Sequence, residues 1–169
     1  MNYKDYITDV PNWPVDGVIF KDITPLLFDA DAFNSVLDSL SIITDAVNDC
    51  TLIAGIESRG FIFGAGLASL NSLGFIPVRK KGKLPPPVEY IDSTKEYGTE
   101  ILEVKAGKGN VIIIDDVLAT GGTIKATEEL LVSAGYNVLG AIVVIDLAYL
   151  HDEIFVGGQP VVSLIKYDE

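Results

Sequence analysis

The sequence predicts an α/β fold with a mostly parallel central sheet flanked by helices. Three observations carry that prediction. Short, continuous apolar runs such as "TLIAGI" and "NVIIID" alternate along the chain with segments whose apolar residues recur at helical spacing. Such alternation implies crossover connections and a parallel sheet covered on both faces. The runs also end in loops of unusual composition, "ESRG", "RKKGK" and "DDVLATGGT", and sheets of this kind bind ligands at the carboxyl ends of their strands. The 169 residues are 49% hydrophobic, without a repeat or a linker, so residues 1–169 are read as one domain.

Taken in order, Asp29–Val47 is predicted as a helix burying Phe33, Val36, Leu37, Leu40, Ile43 and Val47, with Asp29 or Asp31 as its cap. Thr51–Ile56 is a buried strand, and Phe61–Leu70 a helix of small residues. Phe75–Lys80 is the next strand. Lys81–Lys95 is polar or proline-rich with little periodicity and is predicted as an extended excursion, followed by a strand over Tyr97–Val104. Asn110–Asp115 reads as a strand buried on both faces. Gly121–Gly135 is a helix presenting Ile124, Thr127, Leu130, Leu131 and Ala134 to the core, and Gly135 ends it. Asn137–Asp146 and Val161–Tyr167 are the last strands.

The net charge of −12 argues against a general nucleic-acid binder. The chain holds only two arginines, Arg59 and Arg79, and Arg79 opens a cluster with Lys80, Lys81 and Lys83. Scarce cations gathered in an acidic protein suit an anionic small molecule. One cysteine excludes an intramolecular disulfide, and the single histidine, His151, falls outside every motif and is expected at the surface. A Ser-His-Asp hydrolase is thereby disfavoured. No secretory signal pattern and no apolar run near the ~20 residues needed to span a bilayer is visible, so a cytoplasmic protein without membrane contact is expected.

The stretch "NVIIIDDVLATGGT" carries the chemistry. Thr120, Gly121, Gly122 and Thr123 lie between a strand and a helix start, where glycines let backbone N–H groups turn toward an anion and the helix N-terminus favours negative charge. The spacing is neither that of a Walker loop nor of a dinucleotide fingerprint. Asp115 and Asp116 precede the loop. Adjacent carboxylates repel unless a cation or hydrogen-bond donors lie beside them, and vicinal sugar hydroxyls meet that need. Acids for a ribose followed by a loop for its phosphate suit a phosphorylated pentose.

"VIIIDDVLATGGT" resembles the phosphoribosyl-pyrophosphate signature of type I phosphoribosyltransferases. "WPVDGVIFKDITPLL", "GIESRGFIFGAGLA", "VRKKGKLP" and "EYG" resemble motifs of the adenine phosphoribosyltransferases at that family's spacing, covering most of residues 13–135. The resemblance implies a type I phosphoribosyltransferase-like fold with an N-terminal hood over residues 1–30 and a flexible catalytic lid over 81–97. It implies transfer of a phosphoribosyl group from 5-phosphoribosyl-1-pyrophosphate (PRPP) to adenine, giving AMP and pyrophosphate in purine salvage, with Mg²⁺ bound mainly through PRPP and no direct side-chain ligand. A homodimer is implied as well. A phosphoribosyltransferase for hypoxanthine, guanine or xanthine, or a PRPP-sensing regulator, remain the alternatives.

On that resemblance Ala119, Thr120, Gly121, Gly122 and Thr123 hold the 5′-phosphate, and Asp115 and Asp116 the ribose hydroxyls. Arg59, Lys80 and Lys83 would hold the pyrophosphate, and Arg79 could do so from a neighbouring subunit. Glu57, Ser58, Arg59 and Gly60 form the pyrophosphate loop, whose Glu57–Ser58 peptide is implied to be cis. The backbone around Ile19, Phe20 and Lys21 would read adenine, with Phe20 as the stacking ring. Glu96 is the implied general base and Tyr97 a lid residue. Trp13, Asp16, Lys21 and the lid stretch "DSTKEYG" depart from the family's usual residues.

Overall fold

A computed structural model describes residues 1–95 and 98–169, and the side chains of all but residues 93–99. After a 3₁₀ turn at Tyr3–Tyr6, β1 (Thr8–Pro11) and β2 (Ile19–Asp22) form an antiparallel pair, and α1 (Thr24–Phe28) and α2 (Ala30–Asp45) follow. The Asp29 side chain caps α2 by accepting a hydrogen bond from Ala32 N at 2.9 Å. Then come β3 (Leu52–Ile56), α3 (Arg59–Leu70), β4 (Gly74–Lys80), β5 (Glu89–Lys95), β6 (Gly98–Val104), β7 (Asn110–Leu118), α4 (Gly122–Ser133) and β8 (Asn137–Leu147). A second 3₁₀ turn at Ala148–Leu150 precedes β9 (Phe155–Val156), β10 (Gln159–Pro160) and β11 (Val162–Tyr167).

The main sheet has the order β11-β8-β7-β3-β4-β6-β5. Strands β11, β8, β7, β3 and β4 run parallel, so β3, β4 and β7 end at the same rim. Only β6 and β5 run antiparallel to their neighbours. The central strand β7 alternates between two cores, as a period of two residues requires. Val111 and Ile113 pack on the face covered by α4, and Ile112 and Ile114 on the face covered by α2 and α3. All four are essentially inaccessible to water, each side chain contributing roughly 1.5–3 kcal/mol of burial.

Glycines set how closely α3 lies on the sheet. A Cβ at Gly55 would meet the Phe75 ring at 2.8 Å, and one at Gly64 would meet it at 2.9 Å. One at Gly60 would strike the Ile114 carbonyl oxygen at 2.8 Å and the Asp115 carboxylate at 2.9 Å. The first turn of α3 therefore touches the end of β7.

Several expectations shift. Helix α3 starts at Arg59, two residues before the apolar pattern, so Arg59 and Gly60 belong to a helix rather than a loop. Strand β7 runs on through Asp115 and Asp116 to Leu118. The stretch expected as an aperiodic excursion is regular from Glu89, where β5 pairs with β6 and curls onto α4, seating Ile91 against the core there. Glu96 and Tyr97, expected to act from the lid, lie outside the described residues.

Candidate active site

The rim formed by β3, β4 and β7 gathers most of the singled-out residues. At the end of β7, Asp116 is 4% exposed, and its Oδ2 lies 2.8 Å from Arg59 Nε. Asp115 Oδ1 accepts from Asp116 N at 2.9 Å. Burial and the charge of Asp116 push the Asp115 carboxyl well above the ordinary range, the backbone N–H and Arg59 opposing them. Burial also raises Asp116, against the pull of Arg59. The pair resists carrying two negative charges until a cation or a set of donors joins it.

Beyond the acids, Ala119–Thr123 turn into the N-terminus of α4. Gly121, at φ +83°, adopts the left-handed conformation that favours glycine, and the loop encloses a cavity of about 80 Å³. The cavity is lined by Asp115 and Val117 as well as the loop, so Asp115 and the helix N-terminus border one space. Backbone donors at a helix start suit a phosphate there.

Arg59 links this floor to the N-terminal segment. Its guanidinium lies 4.6 Å from the centre of the Phe20 ring. The Trp13 ring meets Phe20 edge-on at 4.4 Å, and Val10, Trp13, Phe20 and Asp22 line an open cavity of about 240 Å³. Two hydrogen bonds from Thr24, to Asp22 Oδ1 at 2.6 Å and 2.9 Å, hold the Asp22 carboxyl below its usual range, against burial and with help from Arg59. Ile19 is exposed beside Phe20, whereas the Lys21 side chain turns away. Its Nζ bonds Asp9 at 2.7 Å and lies 3.9 Å from the Tyr167 ring centre, so the Lys21 side chain ties the N-terminal pair of strands to β11.

The basic residues are organised by three carboxylates, Glu57, Glu100 and Glu103. The Glu57–Ser58 peptide is cis. Glu57 accepts from Arg79 Nε at 3.2 Å, Arg79 Nη2 at 3.3 Å and Lys80 N at 2.8 Å. Burial would raise its carboxyl, but these donors hold it below the usual range. Arg79 is thus engaged within its own chain, and its Nη1 also donates to the Lys83 carbonyl at 3.3 Å. Lys80 Nζ pairs with Glu100 at 2.6 Å. Glu103, 3% exposed on β6, accepts from the backbone N–H groups of Gly82, Lys83 and Leu84 at 3.0, 2.8 and 2.6 Å. Those bonds outweigh burial and hold its carboxyl low. Lys83 is presented to solvent from this anchored turn.

Sequence reasoning had not singled out Glu103, Asp22 or Val117 for the site, and had treated Trp13 only as a departure from pattern. Glu103 and Asp22 sit in ordinary alternating strands, and nothing in their spacing marks them. His151 needs a correction. It is only partly at the surface: its side chain is 9% exposed, with Nε2 2.8 Å from Asp146 Oδ1 and Nδ1 2.6 Å from the Asp152 carbonyl oxygen. It does not line the cavity formed by the Ala119–Thr123 loop.

Among the described residues, no group of three or more His, Cys, Asp or Glu is arranged to hold a metal ion, and no helix is long and apolar enough to cross a membrane.

Known proteins are similar to this chain in sequence and fold. A family model described as a phosphoribosyl transferase domain matches residues 36–153. The adenine phosphoribosyltransferase of Bdellovibrio bacteriovorus is 44% identical over 167 residues, covering 99% of this chain and all of the relative. The crystal structure of the adenine phosphoribosyltransferase of Thermoanaerobacter pseudethanolicus superposes with a TM-score of 0.88 at 41% identity, covering 98% of each chain. That of the Saccharomyces cerevisiae enzyme, complexed with an imino-altritol bisphosphate and adenine, superposes at 0.85 with 34% identity over 96% of each chain.

Proposed function

The chain belongs to the adenine phosphoribosyltransferase family, and from that premise we propose that its rim cavity transfers the 5-phosphoribosyl group of PRPP to adenine, releasing AMP and pyrophosphate. The C1–oxygen bond to pyrophosphate breaks, the bond from C1 to adenine N9 forms, and the N9 proton leaves to a base. Ala119–Thr123 hold the 5′-phosphate through backbone N–H groups and the threonine hydroxyls. Asp115 and Asp116 accept from the ribose hydroxyls and favour the positive charge that develops at C1. Their reluctance to ionise together makes those donors, and that charge, stabilising when they arrive.

The observation that carries this reading is the place of Arg59. One guanidinium touches both Asp116, at 2.8 Å, and the Phe20 ring, at 4.6 Å. It therefore marks the position where a ribose bound to the acids and a planar base on Phe20 would meet. On substrate binding Arg59 would turn to the pyrophosphate with Lys80, Lys83 and the Glu57–Gly60 backbone. Phe20 stacks adenine while the Ile19–Lys21 backbone reads its edge. Glu96 takes the N9 proton, and Tyr97 helps close the lid against water.

Mg²⁺ would be held mainly through PRPP rather than by a side chain, and the carboxylates at the end of β7 would favour a cation beside them. When bound, the ion neutralises charge on the departing pyrophosphate. The reading extends to a cytoplasmic homodimer, in which Arg79 would release Glu57 to reach a neighbouring site. The test is a competition assay: PRPP and Mg²⁺ with adenine, hypoxanthine, guanine or xanthine, reading pyrophosphate release. Adenine should be consumed far faster than the rest; equal or greater turnover with another purine, or none with adenine, overturns the proposal.

A further inference from the structure

The segment after β8 bears none of the groups assigned to the reaction, yet it packs on the back of the loop that the reaction needs. Gly121 has φ +83°, and a Cβ built there would lie 2.1 Å from Ile154 Cδ1. The Ile154 side chain therefore fills the space that a Gly121 side chain would take, and it is not among the residues lining the cavity of Asp115 and the loop.

Ile154 is itself held from both sides. Upstream, His151 bridges Asp146 and the Asp152 carbonyl, as given above, and Asp146 stands opposite Leu118 on the neighbouring strand, immediately before the loop. Downstream, Lys125 Nζ donates to the Phe155 carbonyl at 2.9 Å, and Glu128 Oε1 accepts from Gly157 N at 2.7 Å. Both side chains come from the first two turns of α4, the helix that the loop starts. Strand end, loop and helix start are thus tied to a single short stretch of chain.

The geometry points to Ile154 as a positioning residue for the 5′-phosphate loop, set in place by the His151–Asp146 pair. The proposal rests on reading Ala119–Thr123 as the phosphate site. A loop that binds by its N–H groups binds well only if their directions are fixed before the ligand arrives. The left-handed Gly121 turn has no side chain to fix it, and Ile154 supplies the wall from outside. It touches no substrate, so its removal should weaken capture of the phosphate and spare the chemical step.

Ile154→Ala should raise the KM for PRPP by roughly tenfold, within the penalty that small displacements at a site can bring, with kcat and the KM for adenine changed by less than about twofold. Ile154→Val should restore the PRPP KM to within about threefold of wild type. His151→Ala should shift it in the same direction. Val156→Ala, a fully buried position on the adjoining strand, controls for lost packing: it should lower the melting temperature and leave the PRPP KM unchanged. If Ile154→Ala lowers the melting temperature as Val156→Ala does, with the same PRPP KM, Ile154 is a packing residue only and the proposal fails. Gly121→Ala separates the premise: an unchanged PRPP KM there would overturn the phosphate-loop reading itself.

Discussion

Replacing Glu103 tests whether a buried carboxylate on β6 sets the turn that carries Lys83. Three backbone N–H groups converge on it, two at Oε1 from Lys83 and Leu84 and one at Oε2 from Gly82. A hydrogen bond to a charged acceptor is worth about 1.5–3 kcal/mol, but Gly82 and Lys83 are exposed, so water recovers part of the loss and about 1 kcal/mol per bond is the fairer figure. Glu103→Ala should then cost about 3 kcal/mol. Glu103→Gln keeps an oxygen for Lys83 and Leu84 but turns an NH₂ toward Gly82 N–H, costing about 1–1.5 kcal/mol. For a chain of this length those losses lower Tm by about 6–12 °C and about 2–6 °C.

The assay is thermal unfolding of both variants from pH 7 to about pH 3.5, with the PRPP KM measured at pH 7. The Glu103 carboxyl is held below its usual range, so the folded state binds fewer protons than the unfolded state. Its stabilisation is fully present above the unfolded value, about 4.3, and is lost as pH falls through the folded value. The gap between wild type and Glu103→Gln should therefore be full at pH 7 and shrink below about pH 4. The PRPP KM should rise in both variants because Lys83 is no longer held. A Gln variant as stable as wild type at pH 7, or a gap constant with pH, refutes the reasoning.

Asp115→Asn should raise Tm at neutral pH while turnover falls: burial and Asp116 raise this carboxyl, so its ionisation costs stability as pH rises from the unfolded toward the folded value, and an amide keeps the oxygen that accepts Asp116 N–H. A Tm no higher than wild type contradicts that sign. Asp116→Asn should cut kcat by a hundredfold or so with the fold intact by circular dichroism, and an active variant removes it from the ribose clamp. Glu96→Gln should slow turnover by roughly 10²–10⁴-fold at unchanged PRPP affinity; normal turnover excludes it as the base. PRPP with Mg²⁺ at 100 times its Kd should add about 2.7 kcal/mol of stability, read as a rise in Tm, and no shift argues against PRPP binding.

Much of the site was legible because its chemistry is local in the chain. Asp115, Asp116 and the Thr120–Thr123 loop follow one another, so a linear reading meets the acids and the glycine-containing loop together. The ends of β3, β4 and β7 share a rim because the alternating pattern makes the strands parallel. What escaped was non-local. Glu103 gains its role from a turn some 20 residues away and Asp22 from Arg59, and neither separation leaves a mark in composition. The β5 strand was missed because only Ile91 of its apolar residues is seated in the core, too little for a period-two signal. His151 looked like a surface residue because its partner Asp146, although only five residues away, sits at the end of a strand and comes back to it across a turn.

By itself, the sequence determined the layered α/β class, the alternation of β7 between two cores, and the order of acids and glycine-containing loop along one strand and turn. These follow from residue periodicity and backbone propensity, which act over a few positions. Tertiary structure alone decided that Arg59 bridges Asp116 and Phe20, that Arg79 is clasped by Glu57, and that Ile154 stands behind Gly121. Side-chain contacts between distant segments depend on how strands are registered and how closely helices approach, and here glycines at 55, 60 and 64 set that approach by leaving no Cβ to keep α3 away from the sheet.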